Sequence, residues 1–230
     1  MADYVVTDLT RFKDGHDDVC TALIDIKTGQ CVRPIPYLKM VDVRRLGILP
    51  GSIVRGDFVQ MPAAQRPHRE DSSYGKLNSV GAVTAQEFKK VLKSSLSASV
   101  KDGFGGDFDG VKLLPVGTTS DRSIITIKVN PANFRILKDK YKKYKVHFTD
   151  SAGDSYSFIP ITDLGFYEYL KGSNDPVAEI NSHFRGSAEI YLRLGVSRIH
   201  EAADRKGYWM QVNGIYSFPN KLVNLRGYAP

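Results

Sequence analysis

The chain has 230 residues, 42% of them hydrophobic and 25% charged, with a net charge of +7 and only two cysteines. Its length suits one large domain or two small ones with a real core, and no apolar run approaches the roughly 20 residues of a membrane span. Cys20 and Cys31 match no zinc pattern and make no disulfide framework, and MADYVVTDLTRF lacks the form of a secretory signal, so a cytoplasmic protein with reduced thiols is expected.

In chain order, DYVVTDL (3–9) reads as an opening strand. VCTALIDI (19–26) and QCVRPI (30–35) read as a β-hairpin around Lys27-Thr28-Gly29, because glycine permits the tight reversal. PYLKMVDVRRLG spaces Leu38, Val41 and Leu46 like a short helix closed by Gly47, and GSIVRGDFVQM returns to strand. Residues 62–77 read as an exposed loop, VGAV as a further strand, and Thr84 with Glu87 as a capping box opening a helix over 84–97. The Gly- and Asp-rich stretch from 101 to 122, including GFGGDFDG (103–110), reads as the connection between two halves.

Beyond it, SIITIKV (123–129) is a strand, and KVHFT (145–149) pairs with SYSFIPI (155–161) across Ser151-Ala152-Gly153-Asp154. TDLGFYEYLK opens with two good N-caps, Thr162 and Asp163, and predicts a short helix. AEIYLRLGVSRI (188–199) and YWMQVNGIYSF (208–218) close the chain as strands joined by the charged loop HEAADRKG.

Residues 130–145 hold six Lys or Arg against one Asp. Asn130 is a good N-cap, Pro131 suits the first helical position, and Phe134, Leu137, Tyr141 and Tyr144 recur at helical spacing, so a helix with a tyrosine stripe turned to the core is expected. Lys138, Lys140, Lys142, Lys143 and Lys145 then lie on the solvent side and beyond, where they either neutralise phosphates or simply form a solvated face.

Charge is uneven: residues 1–110 carry 15 Lys/Arg against 14 Asp/Glu, and residues 111–230 carry 17 against 11. A basic second half favours a polyanionic partner. The strand-strand-strand-helix-strand-strand order of the second half is that of an OB-fold, and the first half gives nearly the same order with DYVVTDL as its opening strand, so the expected fold class is mainly β with a few short helices: two OB-like five-stranded β-barrels in tandem, residues 1–105 with the helix 84–97 and residues 106–230.

Pro67-His68-Arg69-Glu70-Asp71, Pro160-Ile161-Thr162-Asp163-Leu164 and Tyr191-Leu192-Arg193-Leu194-Gly195-Val196-Ser197 resemble the dual OB-domain (tandem OB-fold) protein family of prokaryotes. Ser72 follows Asp71 where that pattern has an aromatic, with Tyr74 two residues on. The resemblance implies a tandem OB module that binds nucleic acid, and no chemistry.

Candidate contacts follow from strand parity. Tyr191 and Arg193 share the polar face of 188–198, opposite Ile190, Leu192, Leu194 and Val196, and offer a ring and a cation to a base and its phosphate. Trp209, Gln211 and Asn213 share a face of 208–216, where Trp209 either stacks a base or packs in the core and Gln211 reads base edges. Arg33 and Arg55 extend a basic groove on the first barrel or pair with Asp25 and Asp57.

His68, Glu70 and Asp71, and His16, Asp17 and Asp18, are local clusters with metal or acid-base potential, each without a third well-spaced ligand. GFGGDFDG lacks the Gly-Lys-Ser/Thr of a phosphate loop, and no Gly-x-Ser-x-Gly elbow is present. No cofactor, metal or catalytic residue is expected. The expected function is a non-catalytic module holding single-stranded DNA or RNA by charge and stacking. A protein-protein adaptor in a prokaryotic defence or DNA-processing system is the alternative, and a metal-dependent hydrolase at His68, Glu70 and Asp71 a third.

Overall fold

Residues 1–12, 15–105, 108, 112–172, 176–202 and 204–219 are described by the structure, a computed structural model of the chain. Residues 106, 107 and 109–111 of the expected glycine-rich link lie outside them. The fold is mainly β, with five short helices among the described residues.

The first half begins with β1 (Ala2–Arg11), β2 (Asp18–Asp25) and β3 (Cys31–Pro34). The β2–β3 reversal forms because Oδ1 of Asp25 accepts from the amides of Lys27 and Thr28 while Gly29 takes φ +72°. Short β4 (Leu38–Lys39) leads into α1 (Met40–Arg45), after which Gly47 at φ +61° turns the chain out of the helix. The stretch read as one strand is two, β5 (Ser52–Gly56) and β6 (Phe58–Gln60), and the 62–77 loop contains β7 (Asp71–Tyr74), followed by β8 (Asn78–Ala82).

The sheet order β6-β7-β3-β2-β1-β5-β8 places β7 and β8 far apart, yet only Gly75, Lys76 and Leu77 separate them in sequence. One bent stretch thus pairs parallel with β3 and antiparallel with β5, and the sheet curls into a barrel-like half. Val6, Leu9, Leu23, Val43 and Val54 fill it.

Next come α2 (Ala85–Ser94) and α3 (Val100–Phe104). Helix α2 has the expected capping box: Thr84 Oγ1 accepts from the Glu87 amide, and Glu87 reaches back to the Thr84 amide at 2.7 Å. Its Phe88 and Leu92 pack with Val5 of β1 and with Tyr191, Tyr216 and Phe218 from near the C-terminus, so this helix wedges between the halves. Val100 and Phe104 of α3 belong to the second core although they precede residue 106.

The second half contains β9 (Leu113–Pro115), β10 (Ile124–Val129), β11 (Phe134–Lys138), β12 (Tyr144–Thr149), β13 (Ser155–Pro160), α4 (Leu164–Gly172), α5 (Val177–Arg185), β14 (Glu189–Val196), β15 (His200–Ala202) and β16 (Arg205–Phe218). Its main sheet runs β10-β14-β16-β15 with β9 beside β16, and a second sheet runs β11-β12-β13. A parallel bridge between Ile161 and Val212 ties β13 to β16, so this half curls as well. The helix α5 and the strand β15, within the charged 200–207 loop, were absent from the sequence reading.

The helix expected over 130–145 does not form. Asn130 does cap, its Oδ1 accepting from the Ala132 amide, but the result is a single 3-10 turn over Pro131–Asn133. Period two then takes over: Phe134 and Ile136 point into the core while Arg135 stays outside, and Lys138 is exposed where the strand ends. Asp139 Oδ1 accepts from the amides of Tyr141 and Lys143 and closes a turn into β12. The helical stripe of aromatic residues was a coincidence of spacing that ran across this turn.

Candidate nucleic-acid interface

The β11-β12-β13 sheet buries Ile136, Val146, Phe148 and Ile159 and turns its other face outward. Arg135 of β11 stands opposite His147 of β12, and Lys145 opposite Pro160 of β13. The β12–β13 register slips between Val146 and Phe148, and the extra residue on β13 is Phe158, at φ +57° and 48% exposed. A bulge re-aims a side chain, here turning a ring to solvent that strict alternation would have placed with its neighbours. The ring meets His147 edge-on at 4.5 Å, and Lys112 Nζ lies 5.8 Å from its centroid.

Cations crowd this face. Burial lowers the pKa of Lys112 and Lys145, and Lys145 pushes further on Lys112 as Lys143 does on Lys145. The one carboxylate near them among the described groups is Asp139, whose Oδ2 is 3.9 Å from Lys145 Nζ. Arg135 Nη2 lies 3.2 Å from Nδ1 of His147, and a guanidinium only donates, so the ring is neutral with its proton on Nε2. Burial and the charges of Arg135 and Lys112 favour this neutral form. That Nε2 is buried without a partner among the described residues. At the sheet's end the 139–143 turn exposes Lys140, Lys142 and Lys143, with Tyr141 70% exposed and Lys138 beside it. Tyr144, by contrast, donates its hydroxyl to the Leu170 carbonyl.

The structure divides the ten residues named from sequence. Lys142 and Lys143 lie on the 139–143 turn at the end of this sheet, Lys145 on β12 at its outer face, and Lys138 at the end of β11 over the Tyr144 ring, none of them on a helix. Tyr191 and Arg193 do not: both are 0% exposed. The polar face of β14 is covered by the first half and by α2, and Arg193 is bonded to Asp8 there. The alternation was as expected, but neither face of β14 meets solvent.

Arg33 is also buried. It bonds Asp71 through Nε at 2.6 Å, Ser123 through Nη1 at 3.1 Å and His68 Nδ1 through Nη2 at 2.9 Å. Arg55 is exposed and pairs with Asp3, at 2.7 and 3.0 Å, rather than with Asp57. Trp209 is half-buried, its indole Nε1 donating to the His200 carbonyl, and Gln211 is half-buried beside Asn213.

Glu70, of the cluster with metal potential, accepts from the amides of Ser123 and Ile124 and from the Ser123 hydroxyl, which ties the first half to the second. Asp71 is bonded by both Arg33 and Arg198. Among the described residues no group of three His, Cys, Asp or Glu is arranged to hold a metal ion. Missed by the sequence reading were Arg135, Lys112, His147 and Phe158. Phe158 followed directly by Ile159 in SYSFIPI, two large apolar residues that strict alternation cannot both bury, is the one signal it held.

No protein-family model matches the chain, and no curated protein matches it. Among solved structures, a murine DNA-binding protein bound with double-stranded DNA is similar over 94% of this chain and 95% of that one, at 9% identity and a TM-score of 0.32. A likeness of that degree carries no argument about fold or function. No helix among the described residues is long and apolar enough to cross a membrane.

Proposed function

We propose that the protein is a non-catalytic nucleic-acid-binding module of two OB-type barrels, holding single-stranded DNA or RNA across the outer face of β11-β12-β13. Both halves support the OB reading by curling through a parallel contact, β3 with β7 in the first and Ile161, next to β13, with Val212 of β16 in the second. The observation that carries the function is Phe158, a large ring held out at φ +57° in the middle of a face built from Lys112, Arg135, Lys145 and His147.

An exposed ring flanked by cations fits a base with its phosphates on either side, and each stacked base contributes about 1–3 kcal/mol. Such stacking needs an unpaired base, which favours a single strand over a duplex. Lys138, Lys140, Lys142 and Lys143 extend the positive surface along the backbone and add affinity by counterion release, independent of sequence.

The test is titration of labelled oligo-dT, oligo-U and a duplex of equal length at several salt concentrations. Tighter binding of the single strands, weakening as salt rises, supports the proposal. Absence of binding, or affinity indifferent to salt, would leave the protein-binding adaptor as the better reading.

A further inference from the structure

A cavity away from the β11-β12-β13 face lies where the two halves meet and has a volume of about 630 Å³. The first half contributes Phe12, Arg33, Tyr37 and His68 to its wall, and the second Arg198 and Gln211. Its size falls in the range of small-molecule sites, and no carboxylate is among the described residues that line it. Asp71 stands behind the wall and serves both Arg33 and Arg198, so one carboxylate is shared by two guanidiniums.

The wall combines a stacking surface with hydrogen-bonding groups left open. Phe12 is 38% exposed, and its ring lies 5.0 Å from that of Tyr37. The Tyr37 hydroxyl is held in turn by Arg198, whose Nε and Nη2 donate to it at 3.2 and 3.1 Å. At the opposite wall Gln211 Nε2 donates to Asn213 Oδ1 at 3.1 Å, and Thr162 donates to the same oxygen. That orientation leaves the Gln211 carbonyl oxygen as an acceptor without a partner among the described residues.

His68 is set back in this wall. Arg33 donates to its Nδ1, so the ring proton is on Nε2, and the side chain is 5% exposed, with Nε2 itself buried towards the Ser197 backbone. The open polar group of the wall is therefore the Gln211 carbonyl.

We propose that this cleft is a nucleotide site: a base stacks on the exposed Phe12 ring, a donor on its polar edge meets the Gln211 carbonyl, and its phosphate lies at Arg198. The planar ring, the donor edge and the anion each find a counterpart, and a purely apolar ligand would leave the last two unanswered. The nucleotide is either free or the end of a nucleic-acid strand, since both present the same chemistry.

The full chain is titrated with AMP and UMP by calorimetry, with the emission of its single tryptophan as a second signal, because Trp209 donates to the carbonyl of the cleft residue His200. Saturable binding that Phe12→Ala and Gln211→Ala each weaken about tenfold, with adenosine and inorganic phosphate both weaker than AMP, supports the site. No saturable binding of AMP or UMP to the folded chain, or binding that both variants leave unchanged, overturns it. Displacement of a labelled oligonucleotide by AMP assigns the site to a strand end, and binding of AMP without displacement assigns it to free nucleotide. Phe158→Ala separates the two proposals: it lowers oligonucleotide affinity on the outer face and leaves AMP binding at the cleft intact.

Discussion

Arg193 and Asp8 lie 185 positions apart in the chain and form a doubly bonded ion pair with no exposure to speak of, Nε to Oδ1 and Nη2 to Oδ2, each 2.9 Å. The remaining guanidinium nitrogen, Nη1, donates to Thr126 Oγ1. Strand β14 of the second half is thereby bonded to β1 of the first, in a place where sequence parity had put an exposed nucleic-acid contact. Removing one partner strands a buried charge, so Arg193→Met is expected to lower stability by about 3–5 kcal/mol in urea unfolding. Adding Asp8→Leu removes the stranded carboxylate and should recover most of that loss. A single variant as stable as the parent would mean that the pair is not buried in solution.

His68 makes stability depend on pH in a defined window. Burial, then the charges of Arg33 and Arg198, push its pKa from 6.5 down to about 3 in the folded chain. The unfolded chain therefore takes up a proton below about pH 6.5 while the folded one does not. Stability should fall as pH drops from about 6.5 towards 3, by up to about 1.4 kcal/mol per pH unit. Asp71, with its pKa lowered, and Glu70, with its pKa raised by burial, respond in the carboxylate range. The difference between the parent and His68→Gln, measured by denaturant unfolding from pH 7 to pH 5, isolates the histidine: the variant's slope should be flatter.

Phe158 is expected to trade stability for binding. A left-handed conformation costs a residue with a side chain about 1–2 kcal/mol, which Phe158→Gly relieves. The variant should unfold at an equal or higher temperature, the relief offsetting the removal of edge-on packing against His147, yet bind oligo-dT more weakly by about 1–3 kcal/mol. Unchanged affinity would remove the ring from the interface.

The turn lysines act differently. Lys142→Ala with Lys143→Ala should weaken binding about equally for every sequence tested and flatten the slope of log affinity against log salt by roughly 0.7 for each phosphate no longer neutralised. Thermal unfolding should barely move, since both side chains are exposed. A change in sequence preference would count against a purely electrostatic role.

Local chemistry made much of the framework legible without a structure. The β2–β3 hairpin follows from Gly29, the start of α2 from Thr84 and Glu87, and strands such as β1, β10, β14 and β16 from short apolar or alternating runs, because a turn or a cap is decided by a few neighbouring residues. At 130–145 the same kind of signal misled: Asn130 and Pro131 start a helical turn, but the pairing of Ile136 with Val146 and of Phe134 with Phe148 draws residues 134–138 into a sheet. Strand pairing is a contact between segments, and no window on one segment contains it. Alternation likewise reveals which side chains share a face of a strand and is silent on what lies over that face. Only the docking of the two halves decided that Arg193, Tyr191 and Arg33 are enclosed, and only the bulge in β13 decided that Phe158 is not.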